Sequence, residues 1–201
     1  MTVRAAPMQA RSRATYERIL AAANELFAAR GSASVTTTQI ADAAGVSVGA
    51  LYRFFPDKRS VGEALADRYL ADAVDRFGPS IDSITTLDRV PAGIGEIIAT
   101  AGELALAHPG YYRLTDEVRP DDVESVGHSV RTAMIDTFDD LIVRLGSVQP
   151  NAVRRAAVTM VIETVRHTLA TAPVDEPMRS IVLGELADMV TTYARRRLAP
   201  P

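Results

Sequence analysis

The sequence predicts an all-α protein, and three observations carry this prediction. Apolar residues recur with a helical period of about 3.6 from one end of the chain to the other. Segments with the alternating pattern of a half-buried strand are nearly absent. Residues that favour helix starts precede the apolar runs, and Gly or Pro follows them. The length of 201 residues is enough for one ordinary domain and a smaller second one.

The expected helix boundaries follow from residues that start or stop helices. Gly31 and Gly45 end the first two helices. Thr36 and Ser47 are N-caps of the second and third helices, and Pro56 terminates the third. The fifth is one long or broken helix. The expected helices cover residues 14–30, 37–44, 47–55, 57–77, 83–107, 121–145, 151–172 and 178–197.

The composition argues against several kinds of site. Without cysteine the chain has no disulfide, thiol nucleophile or thiolate metal site, and its three scattered histidines do not suggest a zinc site. No metal or other cofactor is expected. No apolar run approaches the roughly 20 residues that span a bilayer, and the N-terminus lacks the apolar segment of a signal peptide. A cytoplasmic protein without a membrane partner is expected.

The charges divide the chain into a basic N-terminal part and an acidic remainder. Residues 1–60 carry eight basic and four acidic side chains, a net charge of +4, whereas the other residues carry 14 and 21, a net charge of −7. This division favours a basic head that binds a polyanion, joined to an acidic body with another role. The alternative is a basic end that arose by chance.

Residues 37–55 have the layout of a helix-turn-helix. Gly45 allows the sharp turn between the two short helices, because a positive φ costs glycine little. Small side chains at the start of the second helix allow a close approach to the major groove of DNA. Tyr52 and Lys58 are placed to reach phosphates, and Arg53 to reach a phosphate or a guanine edge. The outward positions of the second helix are Ser47, Val48, Gly49, Ala50, Tyr52 and Arg53.

Three stretches in this region also carry a family resemblance. They are AANELFAARG in the first helix, TTTQIADAAGVS in the second helix and turn, and GALYRFFPDK in the third helix. With them, the run from Thr15 to Val61 resembles the DNA-binding domain of the tetracycline-repressor (TetR) family. The resemblance covers about a quarter of the chain closely, and the total length extends it loosely to the rest. The DNA-binding residues that it implies are Thr36, Thr37, Ser47, Val48, Gly49, Ala50, Tyr52, Arg53 and Lys58.

The resemblance adds one further expectation and one difference. Basic N-terminal arms contact DNA in some members, which makes Arg11 and Arg13 candidates. Many members have a longer polar residue where this chain has the small or apolar residues of positions 48–50. Recognition of bases is therefore expected to depend more on Thr37, Tyr52, Arg53 and the shape of the DNA.

The last two helices carry apolar stripes wide enough to face two neighbours. The resemblance implies that two copies dimerise through these helices as a four-helix bundle, which would present two DNA-binding heads to a palindromic site. The alternative is that the stripes complete the core of one protomer. The predicted interface residues are Val158, Val161, Val165, Val182, Leu186, Met189 and Tyr193.

The resemblance also implies a small-molecule pocket in the body. Adaptable apolar side chains and a few polar ones from two helices would form it, with two tyrosines at its mouth. The bland alternatives are core methionines, a satisfied helix histidine and a surface pair of Glu163 with Arg166 or His167. The predicted ligand-binding residues are Tyr111, Tyr112, Met134, Phe138, Met160, Glu163, Thr164 and His167.

Together these features predict a ligand-responsive, dimeric transcriptional regulator. It would repress transcription from a palindromic operator in double-stranded DNA and be released by a small-molecule effector. Residues 1–60 would form the DNA-binding domain with an N-terminal arm, and residues 61–201 the ligand-binding and dimerisation domain. The alternatives are a helical interaction module and an activator without small-molecule control. An enzyme is not expected, because His108, His167 and Glu163 lack a positioned nucleophile and orienting partner.

Overall fold

The computed structural model describes residues 5–116, 126–173 and 175–198. Within these ranges the chain forms α-helices and no strand, as the sequence predicts. A short 3-10 helix, Leu87–Arg89, precedes α5. The α-helices are α1 (Ala5–Arg30), α2 (Thr37–Ala43), α3 (Val48–Tyr52), α4 (Lys58–Ser83), α5 (Val90–Ala107), α6 (Pro109–Asp116), α7 (Val126–Arg144), α8 (Asn151–Thr171) and α9 (Met178–Leu198). We call α1–α3 the head and α4–α9 the body.

The N-caps of α2 and α3 are the residues that the sequence predicts. Thr36 forms a capping box: the Gln39 N–H donates to Thr36 Oγ1 at 3.2 Å, and the Thr36 N–H donates to Gln39 Oε1 at 2.9 Å. Ser47 Oγ accepts a hydrogen bond from the Ala50 N–H at 3.1 Å. Each cap satisfies a backbone donor that the first turn leaves without a helical partner.

Gly45 makes the turn between α2 and α3. Its φ of +63° lies in the left-handed region, which glycine adopts without steric cost. The Gly45 N–H donates to the Asp42 carbonyl at 3.1 Å, and the Val46 N–H donates to the Ala41 carbonyl at 3.0 Å. This pair of bonds is a Schellman motif, which ends α2 and turns the chain toward α3.

The head has a core of its own that also takes in the first turns of α4. Tyr16 stacks on Phe55 with ring centroids 5.2 Å apart, and Phe54 packs at the edge of the same group. The short α3 is thus anchored by large apolar side chains, which explains why aromatic residues concentrate there. The largest buried side chains of this head core are Ile19, Leu20, Phe27, Val35, Ile40, Leu51, Phe55, Val61 and Leu65.

Several helices differ from their predicted limits. In the head, α1 begins at Ala5 rather than at residue 14, and α3 ends at Tyr52 rather than at residue 55. α4 is predicted to end at Phe77 but continues through Pro79 to Ser83. Proline removes one helical hydrogen bond, but Phe77 and the following Ile84 are buried in the body core, and this packing outweighs the loss. Residues 109–116, where no helix is predicted, form α6. Asn151 is the first residue of α8, and Pro150 precedes it as the N-cap. The predicted start of α7 at residue 121 lies outside the described residues.

α5 is the central helix of the body. Within the described ranges, the segment Leu87–Ala107 is the one helix long and apolar enough to cross a membrane by length and composition. The segment contains Glu96 and Glu103, so it is not the uninterrupted apolar run that the sequence prediction excludes. α5 buries Ile98, Ala101 and Leu104 and contacts α4, α8 and α9, so that its position between other helices accounts for its composition.

Candidate DNA-binding surface and ligand cavity

The third helix presents one face to the head core and another to solvent. Leu51 is completely buried, and Val48 is half-buried against the head core. Gly49, Tyr52 and Arg53 are exposed, with Tyr52 at 49% of its full accessibility. No heavy atom lies within 4 Å of the place where a Gly49 Cβ would stand, so this side of α3 is open to close approach. The predicted contact residues therefore include one, Val48, whose side chain already packs on the protein.

Hydroxyl groups join the two helices of the motif at its surface. Thr37 Oγ1 and Tyr52 Oη lie 3.1 Å apart, which links the start of α2 to the end of α3. The hydroxyl oxygens of Thr36 and Ser47 accept cap hydrogen bonds, but each hydroxyl still has a hydrogen to donate. Such donors at helix starts suit phosphate oxygens. The structure thus brings Thr37 and Tyr52 together and leaves Thr36 and Ser47 exposed at the starts of α2 and α3.

Lys58 holds the loop between α1 and α2. Its Nζ donates to the Ser32 carbonyl at 2.6 Å, the Val35 carbonyl at 3.0 Å and the Ala33 carbonyl at 3.4 Å. These contacts use the three donors of an ammonium group. The structure therefore gives Lys58 a structural role that the sequence did not predict, because no local pattern connects residues 23–26 positions apart. Its predicted phosphate contact stays a prediction.

The basic residues of the head are mostly on its surface. Arg11 and Arg13 belong to α1, and both are exposed. They therefore extend the first helix, whereas the resemblance suggests an arm. Arg59 is exposed at the start of α4 and pairs with Glu63 at 3.0 Å. Exposed cations of this kind suit the binding of a polyanion.

A cavity lies among the body helices. It has a volume of about 160 Å³, its wall is almost entirely apolar, and α4, α5, α6, α7, α8 and α9 all contribute to that wall. Four of the predicted ligand-binding residues line it, namely Tyr111, Tyr112, Met134 and Phe138. Residues on α4 and α5, such as Tyr69 and Ile97, also line it and were not predicted. Helical periodicity identifies their buried faces but not the space that those faces enclose.

The other four predicted ligand-binding residues do not line the cavity. Met160 and His167 are exposed, and Thr164 is half-buried with its hydroxyl donating to the Met160 carbonyl. α8 turns a different face inward, so this part of the prediction differs from the structure. Glu163 pairs with Arg166 at 2.8 Å and with Arg131 at 3.5 Å. Glu163 thus forms the ion pair with Arg166 that was the alternative to a ligand-binding role.

The predicted dimer residues divide in a similar way. Val158 and Leu186 are buried inside the protomer, where they cannot supply an exposed interface. Val161, Val165 and Tyr193 line the cavity. Val182 is half-buried and Met189 is exposed. Besides Met189, the large apolar side chains that α8 and α9 expose are Val153, Met160, Met178 and Ile181, which the prediction does not include as interface residues.

Three tyrosines form the end of the cavity nearest to α1. Tyr69 stacks on Tyr111 with ring centroids 4.0 Å apart, and the hydroxyl oxygens of Tyr69 and Tyr112 lie 3.2 Å apart. Burial raises the pKa of each of these tyrosines above the usual value, because it disfavours the phenolate. The nearby His108 Nε2 and Asp72 Oδ2 form a contact of 2.8 Å.

The tyrosine cluster predicts a loss of stability at alkaline pH. A folded-state pKa above the unfolded value of about 10 means that the folded protein holds these protons more tightly. The stabilisation is fully present below about pH 10 and is lost as pH rises further. Tyr111→Phe should therefore show a shallower fall in thermal midpoint above about pH 10 than the wild type, measured by circular dichroism. Parallel falls in the two proteins would contradict this account.

α6 joins the cavity to the head. The Gly110 N–H donates to Asn24 Oδ1 of α1 at 2.9 Å, and Asn24 Nδ2 reaches the Ala107 carbonyl at 3.5 Å. A Cβ on Gly110 would stand 2.2 Å from the Asn24 carbonyl oxygen, so the two backbones meet directly. The next two residues, Tyr111 and Tyr112, line the cavity. One short helix thus touches both the cavity and the first helix of the head.

Comparison with known proteins finds similarity to bacterial regulatory proteins. Residues 19–65 match the family model described as bacterial regulatory proteins, tetR family. The nucleoid occlusion factor SlmA of Haemophilus influenzae (strain PittGG) is 34% identical over 90 residues, which are 44% of this chain and 39% of that protein. SlmA of Actinobacillus pleuropneumoniae serotype 5b (strain L20) is 39% identical over 85 residues, 42% of this chain and 40% of that protein. The chain matches about two fifths of the length of these curated relatives.

Solved structures resemble almost the whole chain. The fatty acid degradation regulator FadR from Bacillus halodurans has a TM-score of 0.66 at 19% identity, over 92% of this chain and 95% of that one. The ketosteroid transcriptional regulator KstR2 of Mycobacterium tuberculosis has a TM-score of 0.68 at 17% identity, over 88% and 93%. A TetR-like regulator from Rhodococcus sp. RHA1 has a TM-score of 0.68 at 15% identity, over 93% and 97%. At these identities the likeness establishes a shared fold of head and body.

Proposed function

We propose a function for this chain from the premise that it belongs to the TetR family of bacterial regulatory proteins. It is a dimeric repressor that binds a palindromic operator and leaves it when a small molecule occupies the body cavity. The observation that carries the ligand response is the position of α6, which lines the cavity through Tyr111 and abuts α1 through Gly110. A regulator rather than an enzyme is the class that this arrangement supports.

The mechanism is a shift between two arrangements of the heads. Without effector, α6 rests on α1 and holds the head in an orientation that fits DNA. An effector that packs against Tyr111 and Tyr112 favours a different position of α6. Because the Gly110 backbone contacts Asn24 without intervening side chains, α1 must follow that displacement. The effector releases DNA to the extent that it binds the second arrangement more tightly than the first.

Dimerisation through α8 and α9 is part of this proposal. Met160, Ile181 and Met189 are each about half exposed on these two helices, although they are large and apolar. Burying them against a second copy would remove apolar surface from water and pair the heads about a twofold axis. Two recognition helices would then enter successive major grooves, and occupancy of the operator would block transcription.

The effector is expected to be mainly apolar. The cavity wall offers very few polar groups, and the hydroxyls of Tyr69 and Tyr112 are bonded to each other. Two of the similar structures are named for fatty acid degradation and for ketosteroids. Both names refer to largely hydrocarbon compounds, which is consistent with an apolar wall.

Arg53→Ala tests the DNA-binding surface. The affinity for an operator is expected to fall about tenfold or more, because an exposed arginine at the end of α3 can reach a phosphate or a guanine edge. The measurement is a fluorescence anisotropy titration at fixed salt, with a duplex that the wild type has selected from a random pool. Arg144→Ala, which removes an exposed arginine from the body, is the matched control. Equal affinities of Arg53→Ala and wild type would contradict the assignment.

Two alternatives are separated by measurements in cells. Deleting the gene of a repressor raises transcription from the promoter that the repressor binds, whereas deleting the gene of an activator lowers it. The interaction module is tested in vitro: unlike a DNA-binding regulator, it would show no salt-dependent binding to any selected duplex.

A second candidate function comes from the curated relatives. The SlmA proteins that match at 34–39% identity are nucleoid occlusion factors, although the match covers only 42–44% of this chain. If this chain has a role across the nucleoid, we expect its DNA sites to be spread over the chromosome rather than confined to one or a few promoters. Mapping the bound sites by chromatin immunoprecipitation decides between these candidates.

A further inference from the structure

We propose that the effector is an amphipathic molecule with one extended hydrocarbon chain and an acidic head group, and that Arg197 binds the head group. This inference rests on the proposed function, because it names the class of effector for the same cavity. It depends on three properties of the cavity: its length, the position of its opening and the charge at that opening.

The cavity extends along α8. Its wall includes residues of this helix from Val153 to Leu169, a distance of about 24 Å at the helical rise of about 1.5 Å per residue. An extended hydrocarbon chain can lie along a wall of this length.

The cavity opens at the end formed by the last turn of α9 and the loop before α8. Among the residues that line it, only Val153 and Arg197 are exposed. Gln149 Nε2 donates to the Arg197 carbonyl at 3.1 Å, so the loop and the end of α9 meet at this opening. The opposite end is closed by the buried rings of Tyr69 and Tyr111. A chain would enter past Arg197 and extend toward the tyrosines.

The opening is positively charged. Arg154 also lies there, but its guanidinium already forms two hydrogen bonds with Asp139, at 2.8 and 3.2 Å. The Arg197 guanidinium lies over the Tyr193 ring at 5.5 Å and forms no ion pair with the residues that the structure describes. Arg195 and Arg196 stand in the same helical turn and add to the positive potential. An acidic group at the opening would therefore pair with Arg197, which is planar and can bind a carboxylate through two donors.

The experiment compares acids of three chain lengths and the methyl ester of one of them. Binding of octanoate, dodecanoate, hexadecanoate and methyl dodecanoate is measured by isothermal titration calorimetry below their micelle concentrations. For the wild type, affinity should rise by about fourfold for each added methylene until the cavity is full. Dodecanoate should bind about tenfold more tightly than its methyl ester, because only the acid can pair with the guanidinium.

Two variants place the head group. Arg197→Gln should bind dodecanoate about tenfold more weakly and remove the preference for the acid over the ester. Arg195→Gln loses the same charge from the same turn but does not line the cavity, so it should keep that preference. The same preference in Arg197→Gln as in wild type would overturn the assignment of Arg197. No binding of any of the acids would overturn the effector class.

The selected operator duplex separates this inference from the function on which it rests. If the protein binds the duplex but dodecanoate neither binds nor releases it, the effector class fails and the proposed regulator stands. If the protein binds no duplex, the proposed function fails. Release of the duplex by dodecanoate from the wild type, but only at about tenfold higher concentration from Arg197→Gln, is the result expected.

Discussion

Gly110→Ala is expected to lower the free energy of unfolding by about 3 kcal/mol and to weaken operator binding. The added Cβ would stand 2.2 Å from the Asn24 carbonyl oxygen and 2.7 Å from the Asn24 Cα. Both are backbone atoms that cannot rotate away, so α6 has to move off α1. This movement breaks the hydrogen bond of 2.9 Å from the Gly110 N–H to Asn24 Oδ1 and displaces Tyr111 and Tyr112 from the cavity wall.

Gly95→Ala is the matched control. Gly95 lies within α5, and no heavy atom stands within 4 Å of the position that an added Cβ would take there. This change should raise stability by roughly 0.5–1 kcal/mol, because alanine favours a helix more than glycine does. Urea unfolding followed by circular dichroism measures the stability of both variants, and anisotropy titration measures DNA affinity. Wild-type stability and operator affinity in Gly110→Ala would show that the contact between α6 and α1 does not hold the head.

The second large effect is expected from Leu51→Ala. Leu51 is completely buried in the head core, and its backbone carbonyl accepts the N–H groups of Phe54 and Phe55 at the end of α3. Removing its side chain leaves a cavity beneath a helix of five residues. The loss of stability should be about 3 kcal/mol, within the range for buried leucine. Operator binding should fall below detection, because Leu51 is the buried side chain through which α3 itself packs into the head core.

An exposed leucine provides the comparison for this change. Leu106 on α5 is 53% exposed, so Leu106→Ala removes the same atoms without leaving a buried cavity. Its free energy of unfolding should stay within about 0.5 kcal/mol of the wild type, and it should bind the operator duplex normally. Unfolding and DNA binding are measured as for Gly110→Ala. If Leu51→Ala binds the duplex as tightly as Leu106→Ala does, the anchoring role of Leu51 is wrong.

The starts of the short head helices and the end of α2 were predictable because local interactions set them, whereas α3 ends at Tyr52 rather than at its predicted limit of residue 55. Thr36, Gly45 and Ser47 act through their own backbone conformations or through bonds to residues three or four positions away. Such contacts are encoded within a few residues of sequence. The continuation of α4 through Pro79 was not predictable in this way. A local rule ends a helix near proline, whereas burial of Phe77 and Ile84 against distant helices preserves it.

The candidate site was predictable only in part, for the same reason. Periodicity on α8 identifies an apolar stripe but does not say whether a cavity, a core or a second copy covers it. The structure turns Val158 and Val161 toward the interior and leaves Met160 exposed. On this helix, residues predicted for the interface therefore line the cavity, and a residue predicted for the cavity is exposed. Lys58 and its three carbonyl partners are a further case, since they lie far apart in sequence.

By itself the sequence determined an all-α chain with a helix-turn-helix head, since caps, turns and the helical period are local properties. It also determined the resemblance to the TetR family through the residues of that head. Only the tertiary structure decided which faces of α8 and α9 enclose the cavity, where Arg197 stands at its opening, and that Gly110 joins α6 to α1. These features depend on distances between residues far apart in the chain, which the packing of whole helices sets.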